Sequence, residues 1–173
     1  MSKIKKIILS AMLLAILIIL SRFVSIKTQI LVISISFIPI MMSAIWLGPK
    51  YSTIIALLGD LIGAILFPFG AYFPGFTVSA AISGLIYGLF LYNKGEELKN
   101  KQLLIRLTIS SLMVLIIVNI FVNSFWIHIL YGKAYLAIIA SRVTTQIIML
   151  PIHIITIYAL EKFSRPLVKK YLY

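Results

Sequence analysis

Cysteine is absent from the 173 residues, so the chain has no disulfide, no thiolate metal site and no cysteine nucleophile. Acids are nearly absent too: four Asp and Glu stand against sixteen Lys and Arg, a net charge of +12. No G-x-x-x-x-G-K-[ST] phosphate loop, G-x-S-x-G elbow or H-E-x-x-H helix occurs, and no pair of acids within the apolar segments suits proton coupling. The two histidines, His128 and His153, lie in different regions without metal-ligand spacing and read as structural. No enzyme, catalytic residue, metal site or cofactor is therefore expected. The bases sit between long apolar stretches instead of forming one polar face, which argues against nucleic acid as a partner.

What the chain has in quantity is hydrophobic side chain: 62% of residues, with a mean hydropathy of +1.12. A water-soluble domain is roughly half apolar, so the bilayer is the expected solvent. Apolar segments run approximately over 7–24, 30–47, 51–66, 77–92, 103–122 and 136–160. Six spanning helices at about 20 residues each consume about 120 residues. The expectation is an all-α integral membrane protein, with residues 1–173 forming a single transmembrane domain and only short loops. The first segment follows Lys3, Lys5 and Lys6 and imitates a signal peptide. Ser21-Arg22-Phe23 is a poor cleavage site, however, so it is expected to stay as the first helix. Gly48-Pro49-Lys50 reads as a tight turn, the aromatic stretch 67–76 as a non-helical loop, and the charged stretch 93–102 as a solvated one.

An internal amino terminus puts Lys3, Lys5, Lys6, Lys50, Lys94, Lys99, Lys101, Arg106, Lys162, Arg165, Lys169 and Lys170 in the cytoplasm, twelve of the sixteen bases. The positive-inside bias then makes both termini cytoplasmic. Arg22, Lys27, Lys133 and Arg142 remain outside, against the rule, and a bound anion would explain them. Arg142 either serves a ligand or a partner at depth, where an unpaired charge costs several kcal/mol, or snorkels to the outer headgroups. Asp60, the only acid inside an apolar segment, either pairs with Arg142 or Arg22 or caps backbone groups.

The outer loops are expected to hold Arg22, Phe23, Tyr72, Phe73, Phe76, Asn123, Phe125, Trp126, His128 and Tyr131, a set suited to a flat, hydrogen-bonding, anionic ligand. An interfacial aromatic belt is the plainer explanation for any single ring. Small residues recur at four-residue spacing in Ala11/Ala15, Gly59/Gly63 and Gly84/Gly88, where helix backbones can approach closely.

The chain resembles the substrate-binding S components of energy-coupling factor (ECF) vitamin transporters, and among them the folate-specific branch. The resemblance covers essentially the whole chain. It is carried by Ala11-Met-Leu-Leu-Ala15, Ile33-Ser-Ile-Ser-Phe37-Ile-Pro39, Leu47-Gly-Pro-Lys-Tyr51, Gly59-Asp60-Leu-Ile-Gly63, Tyr72-Phe-Pro-Gly-Phe-Thr-Val-Ser-Ala80, Asn123-Ser-Phe-Trp126, Tyr131-Gly-Lys133 and the Arg142 segment. It implies the six-helix S-component fold in a bacterial cell membrane. The protein would capture folate from outside and dock on a membrane scaffold driven by two ATPases, so that ATP is used by its partners alone. It further implies docking through Ala11 and Ala15, and a gate at 25–32.

A folate ligand would stack its pterin on aromatic rings and hydrogen-bond it to Asn123 or Gln146, with its carboxylates received by Arg22, Lys27 or Arg142. The expected binding set is thus Arg22, Phe23, Lys27, Tyr72, Phe73, Phe76, Asn123, Trp126, Arg142 and Gln146. Competing readings are an S component for riboflavin, pantothenate or thiamine, an autonomous secondary carrier of an organic anion, and a structural membrane protein.

Overall fold

The structure, a computed structural model, describes residues 2–27, 32–68, 72–93 and 99–172. Among the described residues it is all-α apart from one short hairpin. Helix α1 spans Lys3–Arg22, begun by Ser2, whose Oγ accepts from the Lys5 N–H at 3.3 Å. Strands β1 (Ser25–Lys27) and β2 (Val32–Ser34) pair antiparallel, with Ser25 opposite Ser34. Helices α2 (Phe37–Leu47), α3 (Pro49–Leu66) and α4 (Pro74–Leu91) follow. Helix α5 (Asn100–Met113) runs through a π-helical stretch, Val114–Val122, into α6 (Asn123–Tyr131), and α7 spans Tyr135–Leu172. Among the described residues, five helical segments are long and apolar enough to cross a membrane: α1, α3, α4, the continuous Asn100–Tyr131 helix and α7 over Tyr135–Ser164. The sixth, α2, is a shorter apolar helix.

The segment expected to be helical over 30–47 is divided, and Pro39, which lacks an N–H, falls in the first turn of its helix, where that loss costs least. The helix starts at Phe37, and the β-branched residues before it enter the hairpin. The fifth helix passes Val122, where the apolar run ends, and continues to Gly132, whose φ of 63° stops it. Asn123 and Trp126, expected in an outer loop, therefore lie on helix. Phe76, also expected in a loop, lies in the first turn of α4, because Pro74 suits the first helical position. The last helix continues past Leu160, since Glu161 and Lys162 do not break it.

Gly48, at φ 87°, reverses the chain between α2 and α3. That turn sets α3 against α4, where side chains at Gly84 and Gly88 would meet the Ser52 carbonyl and the Pro49 Cα. The Ser52 hydroxyl donates across the contact to the Gly84 carbonyl at 2.8 Å. On its other side α3 meets α1, with Gly59 under Leu17 and Gly63 under the Arg22 guanidinium. The main core joins Met41, Ala44, Tyr87, Leu91, Leu103, Leu107, Val118 and Ile157, from α2, α4, α5, the π-helical stretch and α7. Leu13, Leu17, Leu47 and Ile55 form a second core beneath α1.

Candidate functional site

A cavity of about 260 Å³ opens between the start of α2, α4, the π-helical stretch, α6 and α7. Its apolar and aromatic walls come from Phe37, Ile40, Phe76, Tyr87, Val114 and Met149, and its polar groups include Ser34, Ser36, Ser83, Asn119, Asn123, Arg142, Thr145, Gln146 and His153. Helix α7 supplies Arg142, Thr145, Gln146, Met149 and His153 at spacings of three or four residues or their sums, which puts them on one face. The π-helical stretch and α6 supply Asn119 and Asn123, again four residues apart.

Arg142 is buried at 8% exposure. Its Nη1 donates to the Asn119 carbonyl at 2.8 Å, while its Nε has no partner among the described residues. The wide π turn frees such carbonyls: the Asn123 N–H bonds to the Val118 carbonyl, five residues back. Arg142 takes up the Asn119 carbonyl and the Tyr135 hydroxyl that of Phe121. Three amides form a chain, Asn123 Nδ2 donating to Asn119 Oδ1 at 3.3 Å and Asn119 Nδ2 to Gln146 Oε1 at 3.2 Å. Asn123 Oδ1 is left buried without a partner among the described residues. At the far wall the His153 ring lies on that of Phe37, centroids 3.9 Å apart at 31°. Rings beside hydrogen-bonding groups and one buried cation suit a flat, polar, electron-rich ligand.

A family described as ECF transporter, substrate-specific component, matches residues 5–161. The chain belongs to this family. Its relatives include the folate transporter FolT of Clostridium novyi, 38% identical over 94% of this chain and 91% of its own length. FolT of Leuconostoc mesenteroides is 37% identical over 87% of this chain and 80% of its own. Among solved structures, the crystal structure of FolT bound with folic acid matches at a TM-score of 0.81 and 34% identity, covering 90% of this chain and 92% of that one.

In this S component, four of the residues singled out from sequence line the cavity: Phe76, Asn123, Arg142 and Gln146. Trp126 stands behind it, its Nε1 donating to Ser79 Oγ at 3.0 Å and its ring 5.6 Å from that of Phe73, which in turn meets Phe76 edge-on at 6.0 Å. Phe125 tilts against Trp126 on the outer side of α6. Arg22 lies apart, 3.5 Å from Asp60 Oδ1 and donating to the Asp60 carbonyl at 3.1 Å. Of the two partners open to Asp60, the structure shows Arg22. Thr77 donates to Asp60 Oδ2 at 2.7 Å, so the Tyr72 hydroxyl, 3.2 Å from Thr77 Oγ1, is the donor there. Phe23 is exposed and packs edge-on against Phe67.

The Lys27 side chain, residues 28–31 of the expected gate, 69–71 of the aromatic loop and Lys94, Glu96 and Glu97 lie outside the described residues. Sequence reasoning passed over Asn119, Phe37, Tyr87 and Thr145, and His153, read as structural, lines the cavity. Two signals pointed to Asn119 and to the α7 residues, and none to Phe37 or Tyr87. Asn119 is the lone polar residue in the run Val114–Val122, and the α7 residues repeat at helical spacing from Arg142.

Proposed function

We propose that this S component captures folate and hands it to an ATP-driven importer. The observation that carries the reading is the cavity itself, in which a buried arginine and a chain of three amides face rings from α2, α4 and α7. A pterin has the matching chemistry, a flat π-system with a hydrogen-bonding edge. At about 260 Å³ the cavity is smaller than most ligand pockets, roughly 300–1,000 Å³, and suits the ring end of folate better than the whole molecule. Relatives bearing the name folate transporter and a match to a folic acid complex support the same ligand.

In this reading Phe76, Asn123, Arg142 and Gln146 meet the pterin, and Tyr72, Phe73 and Trp126 form the wall that holds Phe76. The glutamate carboxylates extend towards the hairpin, where Arg22, Phe23 and Lys27 mark the entrance. The charge bias places both termini in the cytoplasm of a bacterial cell. Ala11 and Ala15 dock on a membrane scaffold, two ATPases supply the energy, and the S component itself has no cofactor and no catalysis.

The test is a calorimetric titration of the detergent-purified chain with folic acid, with riboflavin, thiamine and pantothenate as controls. Selective binding near one to one is expected. Silence towards folic acid with binding of another vitamin would keep the transporter class and overturn the substrate.

A further inference from the structure

Two residues that line the cavity each keep one buried polar atom unpaired, and one residue stands behind both. Arg142 Nε is a donor and Asn123 Oδ1 an acceptor, each buried and without a partner among the described residues. A buried polar group left so is destabilising, and such groups call for an explanation. Asn119 bonds to both of their side chains. Its carbonyl takes Arg142 Nη1, which fixes the guanidinium plane, and its Oδ1 takes Asn123 Nδ2, which leaves Asn123 Oδ1 as the free end of that amide. Its own Nδ2 is spent on Gln146. The π turn favours this double hold, since in a regular α-helix the Asn119 carbonyl would accept from the Asn123 N–H, which here reaches Val118.

We propose that Asn119 is a positioning residue that sets a donor, Arg142 Nε, and an acceptor, Asn123 Oδ1, for one ligand edge, and so selects a lactam, a ring carbonyl beside a ring N–H. The lactam carbonyl accepts from Arg142, and its N–H donates to Asn123. This rests on the folate reading, for the oxidised pterin of folic acid carries that edge at its 4-oxo and N3 positions. Aminopterin, in which the 4-oxo group is an amino group, presents a donor where Arg142 offers one and a ring nitrogen acceptor where Asn123 offers another.

The experiment measures the affinity of both compounds for the wild-type chain, Asn119→Leu and Asn119→Asp in detergent, with thermal melting as the check on folding. Asn119→Ala replaces the leucine variant if that one does not fold. The wild type is expected to prefer folic acid by roughly tenfold or more, the effect of mispaired buried groups along that edge. Asn119→Leu should lower the ratio several-fold, because Asn123 is then free to turn its amide over, while Arg142, held by the backbone carbonyl of residue 119, keeps its part of the preference. Asn119→Asp still accepts from Asn123 and should restore the preference. A residue that only filled space would weaken both ligands alike and leave the ratio standing. A ratio unchanged in the folded leucine or alanine variant, or a wild type that binds aminopterin as well as folic acid, overturns this assignment alone. A wild type that binds neither pteridine overturns the folate reading with it.

Discussion

Arg142 and Arg22 look alike in the sequence, each a basic residue that the charge bias leaves on the expected outer side, and the structure gives them opposite situations. Arg22 is neutralised by Asp60, 38 positions away, and is tied through Thr77 to Tyr72. Arg142 has no acid within ion-pair distance among the described residues, yet it is buried and gives one N–H to a carbonyl. A guanidinium kept dry on those terms needs another acceptor, which ligand oxygen can supply. Arg142→Ala is expected to weaken folic acid binding by about 1.5–3 kcal/mol, roughly ten- to 150-fold. Calorimetry on a variant whose melting behaviour shows it folded is the measurement. Unchanged affinity would return Arg142 to the snorkelling alternative. That Arg142 is buried was legible from its depth in an apolar segment. Which outer base lacked an acid was not, because it depends on where α3 puts Asp60. His153 was within reach of the sequence, eleven positions along the Arg142 face, but the question asked of it was metal binding and not position on the helix.

Among the elements, the glycine pairs were readable as close contacts, and their partners were not. Gly84 and Gly88 bring α4 onto backbone at the start of α3, held there by the Gly48-Pro49 turn, whereas Gly59 meets only the side chains of Leu17 and Leu14. A methyl group can push a leucine end aside but not a Cα in a fixed turn. Gly88→Val should therefore destabilise the folded chain by about 1–3 kcal/mol, as overpacking does, and Gly59→Ala should cost less. Thermal unfolding in detergent compares them, and equal shifts would show that the α3–α4 contact yields more readily than its backbone geometry indicates. The same turn shows where local rules held. Gly-Pro marked it correctly, and Pro39 marked the start of α2, though that reading was masked by the apolar run in front of it. The π-helical stretch had no local signal beyond a lone asparagine, since nothing in Val-Leu-Ile-Ile-Val distinguishes a five-residue hydrogen-bond step from a four-residue one.

In the molecule as a whole, ligand site and proposed docking face are separate. The cavity is lined from α2, α4, the π-helical stretch, α6 and α7, and α1 contributes nothing to it among the described residues. Helix α1 packs on α3 through Leu13 and Leu17 and turns the other way Ile4, Ile7, Ile8, Met12, Ile16 and Ile19, all exposed. Ala11 and Ala15 are exposed among them and are the places where another helix could reach the α1 backbone. A bulky residue there blocks a partner without touching the cavity. Ala11→Trp and Ala15→Trp should accordingly bind folic acid as the wild type does. In liposomes holding the scaffold and the ATPases they should lose ATP-driven uptake. The wild-type chain reconstituted alone should bind and give no net uptake. Lost binding in the tryptophan variants would mean that α1 shapes the cavity from a distance. Full uptake in them would place the docking face elsewhere, and sustained uptake by the chain alone would return the autonomous carrier as the better reading.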